Sequence, residues 1–534
     1  MNTRRLISGI VLMIGTVSLF AQGELDALRH SQYGLSGSAR ALGMGGAFSA
    51  IGADVASGTL NPAGFGVYRS SSFVISPTLL IAQSQTDYLN ATGTGSRSNF
   101  RLPSMGVVFQ GDTYYDPEET DPSFRFKSYA FAIGYNQVEN YRQNILVNDA
   151  YNPASSIAMR FAERAQGLDP DELGSVEALA FNLLVIDTIR NQGGDAYFSA
   201  FNRGQINQTL QRLESGTRNE WYVSLAGNIN DKLYLGGSIN VMTVRYEQEF
   251  FFSETDVDNL YEVYDPFGNF GFPLEIPSNE LRYTDAFSTR GSGLNARAGL
   301  IFRPVDAIRI GLSGQTPTFL SLTDNYQSSL THNLTLDPGV GPEEYEQSTA
   351  NGEFSYTLRT PYKLTAGLVW IAGKRGLVSA DVDYTDIGSA RLSSAESSIS
   401  NPAYYGFEVE NDNIRSLYQA SLNYRVGGEL RMDPFRLRAG AAIYGTPLSE
   451  SGQYYDEYTD NQTITQETFD ASRKFFTGGA GFRQPNFALD VSYVNARLPE
   501  KFSPYTLTST GAFQPTVLTQ RVSHQVTMTM AFMF

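Results

Sequence analysis

The sequence has no cysteine, only 3 histidines and only 2 tryptophans among its 534 residues. Without cysteine the chain can form no disulfide, offer no thiol nucleophile and carry no lipid on an N-terminal cysteine. The three histidines lie far apart in the chain, which argues against histidine-based catalysis and against axial ligation of haem. No HExxH, GxSxG or Walker-type motif is present. We therefore expect neither an enzyme nor a protein with a bound metal or cofactor.

Positive charge and long apolar runs are also scarce. The chain carries 39 Lys and Arg residues against 55 Asp and Glu, which argues against nucleic acid as a partner because phosphate binding needs clustered cations. The N-terminus has Arg4 and Arg5, an apolar stretch from Leu6 to Phe20 and a small residue, Ala21. This pattern predicts a signal peptide over residues 1–21, with an anchor helix as the alternative. Beyond it, no stretch comes near the roughly 18 apolar residues that a spanning helix needs.

Tyrosine, phenylalanine and glycine are abundant, with 31, 34 and 50 residues. Tyr and Phe favour strands and the interface girdles of membrane barrels. The C-terminal segment alternates with period 2 between a mostly apolar face and a polar or small one: His524, Val526, Met528, Met530, Phe532 and Phe534 oppose Gln525, Thr527, Thr529 and Ala531. A last strand that ends in phenylalanine, here Phe534, resembles the signal that outer-membrane barrels present to the barrel assembly machinery.

The same alternation recurs upstream and indicates about fourteen strands. In a bilayer every backbone N–H and C=O group must be paired, so strands can cross it only as a closed barrel. Short turns alternate with long polar loops, and an even strand count places both chain ends on the periplasmic side. The predicted strands start near Ser72, Arg101, Phe126, Glu220, Leu233, Leu294, Ala307, Lys363, Leu377, Leu417, Phe435, Phe475, Phe487 and Arg521. The sequence thus predicts an all-β fold, a 14-stranded antiparallel transmembrane β-barrel of the bacterial outer membrane.

One segment departs from the strand pattern. Residues 155–192 have apolar residues at helical spacing, and we expect a helical outer-loop insertion over about 153–215. An apolar stripe in this insertion has two interpretations. It either belongs to a helix pair that caps the barrel, or it forms an outer hydrophobic surface where a ligand lands. The residues of this predicted surface are Leu179, Leu183, Leu184 and Ile186.

Residues 22–70, between the signal peptide and the first strand, are rich in glycine. Glycine lets a segment pack closely and take turns with positive φ, and apolar residues such as Leu42, Phe48 and Ile51 are unsuited to a disordered tail, which is the alternative. We expect this segment to fold inside the barrel as a hatch, with residues 71–534 forming the barrel itself.

The same segment carries the motifs SARALGMGGAF, from Ser38 to Phe48, and NPAG, from Asn61 to Gly64. In order and spacing they resemble the N-terminal hatch of the FadL-type transporters of long-chain fatty acids and aromatic hydrocarbons. The resemblance implies a fourteen-stranded barrel with an internal plug and with outer loops that form a hydrophobic groove. It also implies that the hatch takes part in ligand binding or gating, through Gly43, Met44, Phe48, Asn61, Pro62 and Ala63.

Charged residues fall on the faces predicted to line the lumen. The cations are Arg297, Arg309, Arg425, Arg436 and Arg438, together with Lys363, and the acids are Asp381, Asp383, Glu429 and Asp490. Either these groups form ion pairs that fill the lumen, which is the default because unpaired buried charge is costly, or one or two cations hold a ligand carboxylate. Acids in the loop after the fifth predicted strand (Glu254, Asp256, Asp258) could bind a divalent cation, although a solvated acidic loop explains them as well.

The main functional hypothesis is passive outer-membrane transport of hydrophobic small molecules, long-chain fatty acids first. The ligand would bind at the outer loops and leave past the hatch. The expected partners are this ligand, outer-membrane lipids and the assembly machinery. A docking subunit of a protein secretion system is the second hypothesis, because some relatives with a similar hatch serve secretion. Uptake of haem or hydrocarbon and a general porin are further alternatives.

Overall fold

The structure is a computed structural model. It describes residues 23–113, 126–191, 194–199, 201, 205–257, 278–334, 343–395, 406–449, 454–458, 464–508 and 513–534. The predicted signal peptide and Asp258 lie outside the described residues. Within them, no helix is both long enough and apolar enough to cross a membrane.

Strands dominate the described chain. They are β1 (Ser72–Tyr88), β2 (Ala91–Asp112), β3 (Phe126–Asn140), β4 (Gln143–Asn152), β5 (Ile186–Asn191), β6 (Gly194–Ser199), β7 (Ile206–Ile229), β8 (Leu233–Thr255), β9 (Ser278–Val305), β10 (Ile308–Gln315), β11 (Phe319–Leu334), β12 (Glu343–Ser348), β13 (Gly352–Arg359), β14 (Lys363–Ile371), β15 (Gly376–Asp386), β16 (Arg391–Ser394), β17 (Ala420–Met432), β18 (Phe435–Tyr444), β19 (Tyr454–Tyr458), β20 (Ile464–Thr468), β21 (Arg473–Arg483), β22 (Phe487–Phe502) and β23 (Val517–Met533). The helices are α1 (Glu24–Ser31), α2 (Ala39–Gly43), α3 (Ser57–Leu60), α4 (Ile157–Ala165), α5 (Ser175–Asn182) and α6 (Glu408–Leu417), and three short 3-10 helices cover Pro62–Val67, Pro170–Glu172 and Ile387–Ser389.

Fourteen of these strands form one closed antiparallel barrel. Its ring runs through β1, β2, β3, β7, β8, β9, β10, β14, β15, β17, β18, β21, β22 and β23. The first and last strands close it, with Cα partners from Ser72↔Met533 to Tyr88↔Val517. Four ring strands have a second segment after or before a short break: β4 follows β3, β11 follows β10, β13 precedes β14 and β16 follows β15. The predicted closed barrel of fourteen strands is confirmed.

The barrel is asymmetric along its axis. Short turns at residues 229–232, 303–306, 372–375, 431–434 and 483–486 all join neighbouring ring strands at the same end of the barrel. Two of these turns have positive φ at Asn230 and Gly373, residue types that adopt it at low cost. Side chains alternate as a membrane barrel requires. On β14, Leu364, Leu368 and Trp370 face outward while Lys363 and Thr365 are buried inside. The outward side therefore presents an apolar belt, and the inward side is polar.

Several strands begin earlier than the sequence predicts. The predicted starts at Arg101, Glu220 and Leu294 lie ten or more residues inside the observed strands β2, β7 and β9. These strands extend beyond the bilayer, where one face no longer meets lipid and the alternation used for the prediction fades. Two further differences between the predicted and the observed elements also lie in the outer region and have the same cause. The predicted insertion ends near residue 205, because β7 begins at Ile206, and α6 occupies the place of a strand start near Leu417.

Candidate functional site

The N-terminal segment lies inside the barrel and packs on its wall backbone to backbone. Gly427 of β17 and Gly440 of β18 face the carbonyl end of α2, and a Cβ atom at either glycine would overlap Met44. Only glycine allows such an approach at Gly427 and Gly440, so the wall and the predicted hatch are matched to each other. Gly43 also lies against Gly479 of β21, although a Cβ at Gly43 would make only an ordinary contact, 3.4 Å from the Gly479 Cα.

Asp381 of β15 fixes the turn that follows α2. Its Oδ2 accepts hydrogen bonds from the backbone N–H groups of Phe48 and Ser49, both at 2.9 Å. The carboxylate also lies 3.6 Å from Arg425. Charge-assisted bonds of this kind are about twice as strong as neutral ones, and here they join the SARALGMGGAF segment to the barrel wall.

The NPAG segment forms a second anchor. Asn61 Nδ2 donates to the Ser49 carbonyl at 2.8 Å and to the Leu300 carbonyl of β9 at 3.1 Å, while its Oδ1 accepts from Ala63 N–H at 3.1 Å. Pro62 is the first residue of the 3-10 helix, where a missing N–H costs nothing. One side chain therefore holds the hatch, the following helix and the wall together.

The structure pairs each predicted lumen cation with a protein group. Arg425 binds Asp383 at 2.6 Å, and Arg438 binds Glu429 at 2.9 Å and Asp490 at 2.7 Å. The other four also have partners: Arg297 binds Glu220 of β7, Lys363 lies 3.3 Å from Asp383, Arg309 donates to the Ile51 carbonyl of the hatch, and Arg436 meets Asp433 at the periplasmic turn. These cations thus hold the hatch and the wall, and they are not directed at an empty site.

A cavity of about 820 Å³ occupies the outer half of the lumen. Helix α1 forms its floor and helix α4 part of its roof. Its apolar lining comes from aromatic and aliphatic side chains of the loops and the wall: Leu28, Phe161, Val176, Phe250, Tyr283, Phe287, Tyr326, Leu417, Leu448, Phe469, Leu498 and Phe502. A volume of this size matches drug-sized or lipid-like ligands.

Charged groups also line this cavity, and most are paired. Arg164 meets Glu177 at 3.0 Å, Arg212 is held by Glu214 and Glu500, and Arg473 lies 3.5 Å from Glu139. Within the described part of the chain, Arg160 of α4 and Arg521 of β23 line the cavity without an ion-pair partner within 4.0 Å. Arg160 lies above the membrane, and burial together with its neighbour Arg164 lowers its pKa. A partly buried guanidinium of this kind gains from an anionic ligand.

The predicted outer hydrophobic surface is largely buried. Leu179, Leu183 and Ile186 are only 7%, 5% and 1% exposed, and only Leu184, at a positive φ of 59°, is 40% exposed. The reason is that α5 folds down onto β11, where the buried His332 Nδ1 donates to the Leu183 carbonyl at 2.8 Å. The apolar stripe therefore packs the helical cap onto the barrel mouth and does not form an open surface on which a ligand could land.

A buried carboxyl group holds the start of α4. Glu254, at the outer end of β8, accepts from Ile157 N–H at 2.8 Å, from Gln208 Nε2 at 2.7 Å and from the Ser156 hydroxyl. It lies well above the apolar belt, and burial raises its pKa to about 7. Of the acids considered for cation binding, Glu254 thus serves as a helix anchor. In the part of the chain that is described, no three His, Asp or Glu side chains meet as a metal site would require.

The barrel wall is interrupted between β2 and β3. Their ladder runs from Asp112↔Ser128 only to Ser104↔Asn136, although β2 continues to pair with β1 beyond that point. Two features coincide with the end of this ladder. Pro103, which precedes Ser104 on β2, has no N–H to donate to a neighbouring strand, and β3 has a bulge between Gln137 and Glu139.

A small pocket of about 70 Å³ lies at this interruption. It shares Glu139, Arg473, Leu498 and Arg521 with the large cavity. Phe100 faces outward on β2 beside the interruption, and its Cα partner on β1 is Leu79, an outward residue of the apolar belt. The chain between α1 and α2 borders the pocket, because Gly34 N–H donates to the Val138 carbonyl at 2.9 Å.

No protein-family model matches the sequence, and no curated protein matches it significantly. Among solved structures, a FadL homologue of Pseudomonas aeruginosa aligns over 94% of this chain and 99% of its own, with a TM-score of 0.51 and 14% identity. The chain has the FadL-type fold. The toluene transporters TodX of Pseudomonas putida (12% identity, 94% of this chain and 99% of that chain, TM-score 0.49) and TbuX of Ralstonia pickettii (15% identity, 93% and 98%, TM-score 0.44) also align.

In this FadL-type barrel, sequence reasoning located the hatch but missed the outer cavity and the wall interruption. Pro103 and the adjacent glycines Gly93 and Gly95, which pack against the β4 backbone, were the available signals for the interruption. Arg160 carried no signal, because a cation on an amphipathic helix is usually solvated.

Proposed function

We propose that this barrel passively transports amphipathic hydrophobic molecules with an anionic head group, long-chain fatty acids in particular, across the outer membrane. The observation that carries the proposal is the contact between the large outer cavity and the pocket at the wall interruption, which share four lining residues. A ligand in the cavity lies next to a lateral path toward the membrane, while the hatch blocks the direct path to the periplasm.

The cavity chemistry supports an amphipathic ligand. Phe161 and Tyr283 form an edge-to-face pair with ring centroids 5.9 Å apart, and Arg160 is on the same helix as Phe161. An acyl chain would lie against the aromatic side chains, and its carboxylate would pair with the Arg160 guanidinium. Such a charge-assisted bond is worth roughly 1.5–3 kcal/mol, which corresponds to about 10- to 100-fold in affinity.

The exit passes the ion pair of Arg473 and Glu139. Arg473 also donates to the Tyr33 carbonyl at 2.9 Å, so the same side chain touches the N-terminal segment, the cavity and the small pocket. A shift of this segment would open both pockets to each other, and the ligand would then reach the bilayer beside Phe100.

The first experiment is mass spectrometry of the barrel purified in mild detergent, followed by binding assays with oleate and oleyl alcohol. We expect a co-purified lipid, and we expect Arg160→Gln to weaken oleate binding at least tenfold while changing oleyl alcohol binding little. Equal losses for both ligands, or none, would refute the role of the anionic head group. A stable protein partner with an empty cavity would instead favour the docking subunit.

The lateral exit is tested with the double variant Arg101→Cys/Glu139→Cys, joined by a thiol-reactive cross-linker. The natural chain has no cysteine, so the introduced pair reacts alone. Cross-linking should abolish oleate uptake, and reduction of a cleavable linker should restore it. The matched control is Ser104→Cys/Asn136→Cys, which bridges a ladder position that is already closed. Unchanged uptake in the cross-linked exit variant would rule this route out.

A further inference from the structure

A charged cluster lies on the outside of the barrel wall, on the face opposite the cavity. It consists of Arg245 and Glu247 on β8 and Arg290 on β9, and we call it the wall patch. The two arginines are direct Cα partners in the β8–β9 ladder and are 61% and 65% exposed. Both therefore point away from the lumen, at the same level of the barrel.

Two cations placed directly opposite each other destabilise a sheet unless an anion lies between them. Glu247 is such an anion for Arg245. Its Oε1 accepts hydrogen bonds from Arg245 Nε at 3.0 Å and from Arg245 Nη2 at 2.7 Å. Arg290 reaches the same oxygen only at 3.6 Å and forms no hydrogen bond with it. The Arg290 guanidinium is thus ion-paired with Glu247 but makes no hydrogen bond to it, and it is directed outward.

The height of the wall patch along the barrel axis can be compared with that of the apolar belt. On β8 the outward residues Ile239 and Val241 are apolar, and Leu294 continues this belt on β9. Arg245 follows Val241 by four residues, which is about 13 Å along a strand and roughly 10 Å in height at the usual tilt. The patch therefore lies at the outer edge of the belt, where lipid head groups begin.

The surroundings of the patch are polar but uncharged. The Cα partners of the two arginines on the outer strands are Thr217 of β7 and Thr323 of β11. Glu249, the next outward carboxylate on β8, lies two residues beyond Glu247 on the side away from the apolar belt. An anion at the level of the arginines would thus meet two guanidinium groups, two hydroxyl groups and, below them, apolar side chains.

We propose that the wall patch binds the phosphate group of an outer-leaflet glycolipid, with lipid A as its chemical model. Arg290 supplies one guanidinium fork, Arg245 the second cation, and Glu247 orients Arg245. The acyl chains of the lipid lie along Leu294 and Val241. Planar guanidinium groups suit phosphate because they donate two parallel hydrogen bonds, and basic groups beside the bilayer recognise anionic lipids in this way. The site is independent of the transport cavity.

The test is native mass spectrometry of the full-length barrel with bis-phosphorylated lipid A, with its dephosphorylated form and with inorganic phosphate as a competitor. We expect the wild type to bind the phosphorylated lipid at least tenfold more tightly than the dephosphorylated one. Arg245→Gln/Arg290→Gln should lose this difference. Inorganic phosphate at millimolar concentration should not displace the lipid, because it lacks the acyl chains.

The matched control is Arg282→Gln, which removes an exposed cation of β9 that is paired with Glu280 at 3.1 Å and lies farther out. It should leave lipid binding unchanged. Glu247→Gln, which removes the competing carboxylate, should strengthen binding and so tests the site without deleting a cation. Equal binding of both lipid forms by the wild type, or unchanged binding by the double variant, would overturn the proposal, as would displacement by phosphate alone.

Discussion

Raising the pH should loosen the contact between the helical outer loop and the barrel. The contact begins at Glu254, whose buried carboxyl group holds Ile157 and Ser156 at the start of α4. Burial raises its pKa from the ordinary 4.5 to about 7. The protonated form therefore fits the folded contact better than the carboxylate does.

Proton linkage gives the direction and the magnitude of the effect of pH on loop opening. Because the pKa is higher in the closed loop than in an opened one, the stabilisation is complete below pH 4.5 and is lost as the pH rises to about 7. The shift of about 2.5 pKa units corresponds to roughly 3 kcal/mol. Opening of the loop should accordingly be on the order of a hundredfold more frequent at pH 8.5 than at pH 4.5.

Hydrogen exchange of α4 at pH 5 and pH 8.5, corrected for intrinsic exchange rates, measures this opening. We expect Glu254→Gln to remove most of the pH dependence, because glutamine does not titrate. Glu249→Gln, an exposed position on the same strand, should retain it. Burial lowers the pKa of His332 to about 4 in the closed loop, so opening would let this histidine protonate at pH 5 and would act with the opposite sign to Glu254. All three proteins are therefore compared in a His332→Gln background. Exchange that is the same at both pH values in the His332→Gln parent would refute the reasoning, and so would pH-dependent exchange after Glu254→Gln is added.

Three further predictions concern the hatch and the lumen. Gly427→Ala should displace the hatch and raise single-channel conductance in planar bilayers, whereas Gly428→Ala, with 3.6 Å to its nearest neighbour, should not; equal traces would contradict the proposed packing. Asp381→Asn, which removes the charge from the two hatch hydrogen bonds, should weaken the hatch and increase the uptake of large antibiotics, measured as growth inhibition. Glu220→Gln should leave Arg297 without its ion-pair partner and destabilise the barrel by about 3–5 kcal/mol, seen as unfolding at lower temperature by heat-modified gel migration.

The strands of the barrel could be predicted from the sequence wherever a strand meets lipid on one face and the lumen on the other. Starts at Ser72, Phe126, Leu233, Lys363, Phe435 and Phe487 coincide with the observed first residues of strands. The outer region could not be read in this way. There, β9 has protein or water on both sides, and the period-2 signal that locates Leu294 does not reach back to Ser278.

The outer cavity was less predictable than the hatch. The hatch motifs are contiguous in sequence, so their residues can be recognised together. The cavity instead joins Arg160 of α4, Tyr283 of β9 and Arg521 of β23, which only the closure of the ring brings near each other. Similarly, the sequence showed that lumen charges need partners, but the choice of Glu220 for Arg297 depends on a strand register that composition does not encode.

The backbone contacts of the hatch also constrain how the protein is assembled. Residues made first touch strands made last: Ala39 N–H donates to Thr529 Oγ1 of β23, and Met44 lies against Gly427 and Gly440. The hatch can reach these partners only when the final strands arrive, and ring closure between β1 and β23 then encloses it. The N-terminal segment must therefore wait, unpaired and partly apolar, while the wall is built around it. The close fit of Met44 against Gly427 and Gly440 thus ties the last step of barrel closure to the position of the N-terminal segment.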